Sequence, residues 1–190
     1  VDLLGLFCLK KAQKGGLSHV VSSLTIHNIM LEERPDLLEV AYKQFFIDWR
    51  GEEGAGELPY YSVPMFSVEK GKLTSRFQNR IYVHSCERFG PEFKMTKKQS
   101  EVLDYVQDIA NRPELRLSMS FEEGDIQLLN NHTTMHARDA YTDHVEEGKK
   151  RHLLRMWLRL NDRRRRPLSP ALDILYSVVK CGGIPKRISK

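Results

Sequence analysis

Long apolar runs and cysteines are both scarce in this chain of 190 residues. No apolar stretch approaches the roughly 20 residues that a membrane-spanning helix needs, and no signal-peptide pattern opens the chain. The three cysteines, Cys8, Cys86 and Cys181, are odd in number and far apart, which argues against a disulfide framework and for a reducing compartment. We therefore expect no membrane association and, by default, a cytoplasmic location. The first residue is Val1, so we also expect that an N-terminal segment is missing.

The chain carries a net positive charge but contains no recognisable nucleic-acid-binding motif. The formal net charge is +5 and the pI is about 9.1, and a basic run from Arg163 to Arg166 could contact phosphates. No zinc-finger spacing, aromatic RNA-binding signature or regular basic helix accompanies that run. We favour a solvated basic turn before Pro167 and do not expect a nucleic-acid partner.

The helical signals are local and fit one domain. With 41% hydrophobic residues the chain can bury a single core, so the sequence predicts one domain over residues 1–190. Thr96 to Gln99 has the spacing of a capping box, and apolar residues then recur at helical intervals until Pro113. Further helices are expected near Val20 to Glu33 and from Pro35 to Tyr42.

The remaining patterns are those of antiparallel strands. Phe66 to Val68 and Leu73 to Phe77 flank Glu69-Lys70-Gly71-Lys72, which predicts a hairpin. Apolar and polar residues alternate from Leu115 to Phe121 before another turn. These features indicate an antiparallel barrel rather than alternating βαβ units. The segment from Gly51 to Pro59, rich in Gly and Glu, predicts a mobile loop.

Two segments in the C-terminal half carry the candidate functional residues. Gly124 to His136 is interpreted as one strand that brings an Asn pair and His136 to one end of the barrel. After a loop, His152 to Leu160 is a second strand, with Arg155 among apolar neighbours. Such an arrangement could hold a metal and an anionic cosubstrate.

Both candidate residues also have an ordinary interpretation. Because both faces of its strand are partly apolar, we expect Arg155 to pack against apolar side chains. Its charge then needs an anionic partner, which is either an external carboxylate or an Asp or Glu of the protein. A lone histidine such as His136 at a strand end is more often a surface or hydrogen-bonded residue than a metal ligand. The pattern of residues alone leaves these alternatives open.

The order and spacing of several motifs resemble one enzyme family. The motifs are an apolar strand from Leu3 to Leu9, the segment Lys14-Gly15-Gly16-Leu17-Ser18, a helix that runs to Arg34-Pro35-Asp36-Leu37-Leu38, Gly124-Asp125, Asn130-Asn131, His136, and Arg151 with Arg155. Over residues 1–160 they resemble the taurine dioxygenase (TauD/TfdA) family of iron(II)- and 2-oxoglutarate-dependent oxygenases.

The resemblance implies a fold and a site. The fold would be mainly β with flanking helices, around a double-stranded β-helix core of the jelly-roll or cupin type that is incomplete at the N-terminus. His136 would be the distal histidine ligand of Fe(II), and Arg155 would bind the far carboxylate of 2-oxoglutarate. Ser18 falls where the family often places a hydroxyl residue that helps to bind 2-oxoglutarate. Arg151 is the rival for the arginine role, and Arg155 is preferred because it lies within the strand.

One part of the family pattern is absent from the sequence. The family binds iron through a His-x-Asp pair as well as the distal histidine, and this pair should precede the strand that begins near Val1. No His-x-Asp occurs in the chain. His144-Val145-Glu146 has a similar spacing, but it follows His136 by only eight residues in a polar loop and is in the wrong order for the family.

The resemblance also implies an activity. The expected reaction is hydroxylation of a small organic substrate, often an anionic one, by dioxygen and 2-oxoglutarate with release of succinate and CO2. The competing hypothesis is a noncatalytic or vestigial barrel that serves as a binding module. A His-x-Asp in the coding sequence upstream of Val1 would favour the oxygenase.

Overall fold

The computed structural model describes residues 2–54, 56–161 and 166–177. The helices in these ranges are α1 (Ser23–Glu33), α2 (Pro35–Ala41), α3 (Arg80–His84), α4 (Lys97–Ala110) and α5 (Pro170–Ser177). The strands are β1 (Leu3–Lys10), β2 (Lys14–Gly15), β3 (Ser18–Ser22), β4 (Gln44–Asp48), β5 (Tyr60–Pro64), β6 (Phe66–Glu69), β7 (Lys72–Ser75), β8 (Arg116–Met119), β9 (Ile126–Asn130), β10 (Thr134–Arg138), β11 (Tyr141–Thr142) and β12 (His152–Leu158). Short 3₁₀ helices lie at Ser85–Phe89, Pro91–Phe93 and Glu147–Lys149.

Helix α4 begins at the capping box that the sequence predicts. Thr96 Oγ1 accepts a hydrogen bond from Gln99 N at 3.2 Å, and Gln99 Oε1 accepts one from Thr96 N at 2.9 Å. This exchange satisfies two of the amide groups that a helix start leaves unpaired. Val102, Val106 and Ile109 are fully buried along one face of the helix, so the prediction of an amphipathic helix is confirmed.

The first helix starts later than the sequence suggested. Residues Ser18–Ser22 form β3, and α1 begins only at Ser23. Ser22 is the N-cap, where its side chain accepts a hydrogen bond from Thr25 N at 3.3 Å. The prediction of a helix from Val20 was therefore wrong at this end, because Val20 and Val21 are β-branched residues that pair between two strands.

Two antiparallel three-stranded sheets form the barrel-like part. The β1 sheet has the order β12-β1-β9, and the β3 sheet has the order β10-β3-β8. Gln127 of β9 joins them, because its Oε1 accepts a hydrogen bond from Ser18 Oγ at 3.4 Å and its Nε2 lies 3.0 Å from Met119 Sδ. The two sheets therefore face each other, and the expected mainly β, jelly-roll type of architecture is confirmed.

The segment from Gly124 to His136 was predicted to be one strand, but the structure divides it into two. It forms β9 in the β1 sheet, a turn, and β10 in the β3 sheet. The Asn130 side chain accepts a hydrogen bond from His132 N at 3.0 Å, which turns the chain locally. Asn130 and Asn131 thus serve the crossing between the sheets.

Residues 23–115 connect β3 to β8 and supply most of the core. Their helices pack against the outer face of the β3 sheet, where Val21 shares one buried cluster with Ile26, Met30 and Val106. The hairpin of β6 and β7 is present as predicted, and its turn uses positive φ angles at Lys70 and Gly71. Residues 23–115 therefore cover the outer face of the β3 sheet, and the inner face of that sheet is turned toward the β1 sheet.

Cys8 and Cys86 are buried free thiols, and Cys181 lies outside the described residues.

Most of the basic run, Arg163 to Arg165, also lies outside the described residues. Arg166 is half-buried and donates from Nε to Thr74 Oγ1 at 3.1 Å, so this member of the basic run binds β7 and is not solvated as predicted. Within the described ranges, none of the helices is both long and apolar enough to cross a bilayer.

Candidate active site

His136 lies on the face of the β3 sheet that looks toward the β1 sheet. In the pairing of β10 with β3, His136 is opposite Val20 and Arg138 is opposite Ser18. Cross-strand partners share a face, and so do alternate residues of one strand. Because Ser18 contacts Gln127 of the other sheet, His136 and Ser18 both face the space between the sheets.

Arg155 approaches the same space from the opposite sheet. Leu6 of β1 pairs with Arg155 on one side and with Gln127 on the other, so the three side chains share one face. Gln127 is 8% exposed and points inward to Ser18. The structure therefore brings together His136, Ser18 and Arg155, three of the four residues that the sequence singled out.

The burial expected for Arg155 was wrong. Its side chain is exposed, and its guanidinium carbon lies 4.7 Å from the centre of the Trp157 ring. The reason is that β12 is at the edge of its sheet, with β1 on one side only. Within the described ranges no carboxylate lies within ion-pair distance of Arg155, and its guanidinium is placed for a cation–π contact with Trp157.

The electrostatics link His136 to Arg155. Partial burial, and then the positive charge of Arg155, hold the pKa of His136 below its usual value of 6.5. The imidazole is therefore neutral at pH 7 and keeps a ring-nitrogen lone pair, which is the form that binds a metal. The guanidinium, in turn, is suited to a carboxylate through its planar fork.

Arg151 lies at the mouth of the barrel. Its backbone N–H donates to Asp143 Oδ1 at 2.7 Å, and its guanidinium carbon is 5.3 Å from the centre of the Tyr141 ring. Arg138 approaches the same ring at 4.3 Å. Tyr141 pairs with Gly15, where an added Cβ would come within 2.6 Å of a backbone oxygen, so the Gly15-Gly16 motif allows this close approach.

A cavity of about 460 Å³ adjoins His136. Phe77 and Val106 are among its apolar residues, and Arg116 and His19 are among its polar residues. A volume in this range suits a small organic molecule. Sequence reasoning missed this cavity, because its walls come from β10, β3 and α4, which are far apart along the chain.

Two further findings concern residues around the site. Gln127 was not selected from the sequence as a site residue, although a polar residue at an inward position of an apolar strand could have indicated it.

Glu146, the acidic residue of the His144-Val145-Glu146 segment, forms an exposed ion pair with Lys149 Nζ at 2.8 Å in the loop. In the part of the chain that the structure describes, no group of three or more His, Cys, Asp or Glu side chains could hold a metal ion.

Similar proteins support one family. The profile of the taurine catabolism dioxygenase TauD, TfdA family matches residues 1–157. FR-33289 synthase of Streptomyces rubellomurinus is 39% identical over 172 residues, which are 88% of this chain and 50% of that protein. The taurine hydroxylase-like protein SAT17 of Stachybotrys chartarum is 31% identical over 90% of this chain and 43% of its own length. The chain thus spans about half the length of these relatives.

Solved structures with a similar fold are more distant in sequence. Asparagine oxygenase in complex with Fe(II), 3-hydroxyasparagine and succinate has a TM-score of 0.55 and 15% identity, covering 81% of this chain and 44% of that one. A taurine dioxygenase from Burkholderia xenovorans has a TM-score of 0.51 and 16% identity, covering 81% and 52%. With the two facing sheets and the match over residues 1–157, the chain belongs to the taurine catabolism dioxygenase TauD, TfdA family.

Proposed function

We propose that the protein is an Fe(II)- and 2-oxoglutarate-dependent dioxygenase that hydroxylates a small organic substrate and releases succinate and CO2. The observation that carries the proposal is the meeting of His136 and Arg155 in the space between the two sheets, where the charge of Arg155 lowers the pKa of His136. One residue offers a neutral imidazole, and the other offers a guanidinium that has no carboxylate partner among the described residues. These are the chemical groups that an iron(II) ion and a carboxylate cosubstrate require.

The residues present fit the iron and its cosubstrate in part. His136 would hold the metal, and Arg155 would hold the far carboxylate of 2-oxoglutarate. Ser18, 4% exposed, would turn to the cosubstrate the hydroxyl that here donates to Gln127 Oε1. Bound iron and 2-oxoglutarate together supply the activation of dioxygen. Arg151 is assigned the lesser role of supporting the mouth of the site, because its guanidinium lies against Tyr141.

The free edge of β10 suits the delivery of the remaining iron ligands. Thr133 O accepts from Ser23 N, and Asp139 N donates to Leu17 O. Because hydrogen-bonded pairs alternate along antiparallel strands, the backbone N–H and C=O groups of His136 point away from β3. Within the described ranges no strand pairs with that edge of β10.

A strand added at this edge would bring side chains beside His136. Cross-strand neighbours have Cβ atoms about 4.5 to 5.5 Å apart and share a face, and residues i and i+2 of one strand also share a face. A His-x-Asp on such a strand could therefore direct both side chains to the space that His136 faces. Three ligands from the protein would leave iron with open positions for 2-oxoglutarate and dioxygen.

The substrate would bind in the cavity that adjoins His136. The cavity lies mostly behind the β3 sheet, between β10, β3 and α4, so a substrate bound there would reach His136 around the free edge of β10. The cavity combines apolar residues, such as Phe77 and Val106, with charged ones, such as Arg116. The role of the protein in the reaction is to orient the substrate in this cavity and to exclude bulk water from it. Arg155 would fix one end of 2-oxoglutarate and thereby orient it toward His136.

Succinate formation tests the proposal directly. The natural full-length protein is incubated with Fe(II), 2-oxoglutarate and dioxygen, and succinate is quantified with and without candidate substrates. We expect iron-dependent succinate release that His136→Ala abolishes. Absence of iron-dependent turnover, together with unchanged iron affinity in His136→Ala, would instead favour a noncatalytic binding barrel.

A further inference from the structure

Three polar side chains join all the strands of the β3 sheet on its outer face. His19 of β3 is 7% exposed, and its Nδ1 lies 2.8 Å from Ser118 Oγ of β8. Its Nε2 lies 2.9 Å from Oδ1 of Asp139, which follows directly after β10. One imidazole thus links the strand on one side to the end of the strand on the other.

The surroundings make this link costly. His19 is on the same face as Val21, which belongs to the apolar core behind the sheet. Burying an imidazole requires hydrogen-bonding or charged partners for its nitrogens, and an apolar side chain would fill such a position at lower cost. What His19 offers that an apolar residue cannot is a polar contact between its Nε2 and the Asp139 carboxylate.

That contact acts on the strand that carries His136. Asp139 lies three residues after His136, and among the described strands β10 pairs only with β3. A slip of one residue in this pairing would turn His136 from the inner face to the outer face. A tie between His19 and Asp139 opposes such a slip at the C-terminal end of β10, three residues after His136.

We propose that His19 is a positioning residue, which holds Asp139 and thereby directs His136 toward the space between the sheets. The inference rests on the proposed function, since it assumes that His136 is an iron ligand. His19 itself faces away from that space, because it is opposite Ala137 in the pairing. It acts only through the register and rotation of β10.

Two substitutions of His19 separate its two contacts. In His19→Asn the amide lies near the former Nδ1 and retains the contact with Ser118, whereas in His19→Gln it reaches the former Nε2 and retains the contact with Asp139. Anaerobic Fe(II) titration of the natural full-length protein measures the affinity. We expect His19→Asn to weaken iron binding on the order of 10-fold, as loss of a supporting contact around a metal ligand does. His19→Gln should remain close to the wild type.

Two controls keep the experiment decisive. Asp139→Ala removes the same contact from the other side at a half-exposed position, so it should fold and reproduce the loss of affinity. His27→Asn removes a contact between His27 Nε2 and Tyr42 Oη of 2.9 Å outside the two sheets, and it should leave iron affinity unchanged. The visible spectrum of the Co(II)-loaded protein reports the ligand geometry independently of turnover.

The outcomes are distinguishable. If His19→Asn and Asp139→Ala lower the melting temperature but leave iron affinity and the Co(II) spectrum unchanged, His19 is only structural and the inference is wrong. If His136→Ala also leaves iron affinity unchanged, the proposed function is wrong as well. Loss of affinity in His19→Asn with recovery in His19→Gln supports the inference.

Discussion

His132 Nε2 lies 2.8 Å from Asp2 Oδ1 in a pair whose side chains are 3% and 5% exposed. The second oxygen of Asp2 accepts a hydrogen bond from Leu160 N at 2.8 Å, and its backbone oxygen accepts one from Asn131 N at 3.0 Å. Asp2 therefore fastens the start of β1 to the turn before β10 and to the end of β12. This contact lies four residues before His136 and so supports the frame of the candidate site.

Asp2→Ala should destabilise the fold by about 3 kcal/mol, because it removes one partner of a buried charged pair. Urea denaturation followed by circular dichroism measures the change in the free energy of unfolding. The matched control is Asp36→Ala, since Asp36 forms exposed ion pairs with Arg34 and Lys98, and it should have a much smaller effect. Equal effects of the two substitutions would contradict the role given to Asp2.

His136→Ala should remove tight iron binding from the natural full-length protein while the fold stays largely intact. His136 lies on an edge strand and is exposed on one side, so its truncation leaves no large cavity in the core. Iron affinity from anaerobic titration and the melting temperature are measured together. Retention of iron-dependent activity would exclude His136 as a ligand.

Arg155→Lys should weaken 2-oxoglutarate binding by about 2 kcal/mol, because lysine cannot reproduce the planar two-point contact with a carboxylate. Arg151→Lys should cost less than about 1 kcal/mol, because the Arg151 guanidinium lies against the Tyr141 ring and not in the space between the sheets. Titration of 2-oxoglutarate into the iron-loaded protein compares the two variants. A large loss for Arg151→Lys alone would reverse the assignment of the two arginines.

Iron affinity should fall as the pH is lowered, because a proton and the metal compete for the imidazole of His136. The pKa of His136 is below 6.5, first through burial and then through the charge of Arg155. His136 therefore stays neutral above this lowered pKa, and both its ligand function and its contribution to stability decline as the pH falls from 6.5 through it.

Arg155→Gln removes the positive charge that helps to lower the pKa of His136, so it should raise that pKa. NMR titration of the histidine ring protons in the metal-free protein measures the change. Lys72→Gln removes one positive charge at the β6 to β7 hairpin and serves as the control that should leave the curve unaltered. An identical curve for Arg155→Gln would show that the two residues do not interact.

The 190-residue chain by itself should bind iron weakly and turn over little 2-oxoglutarate. His136 alone supplies one ligand, and iron(II) is low in the affinity order of divalent metals. Succinate release by residues 1–190 is compared with release by the natural full-length protein. Stimulation of the short chain by iron and substrate would show that the remaining ligands lie within it.

Local patterns in the sequence determined much of the fold. The capping box at Thr96 predicted the start of α4, because the two reciprocal hydrogen bonds depend only on residues three apart. The apolar residues around Arg155 predicted a strand from His152 to Leu160, and β12 covers His152–Leu158. Such features are set by neighbours along the chain, so they can be read without the tertiary structure.

Contacts between distant segments decided the rest. The switch of the chain from the β1 sheet to the β3 sheet at Asn130 was not evident, because β9 and β10 are separated by only a few residues yet pair with different strands. The exposure of Arg155 follows from the position of β12 at the edge of its sheet, and the buried position of His19 follows from contacts with residues about 100 positions away. The sequence by itself determined residue types, periodicity and family, whereas burial, charge coupling and the meeting of His136 with Arg155 depend on how two sheets pack, which no local pattern encodes.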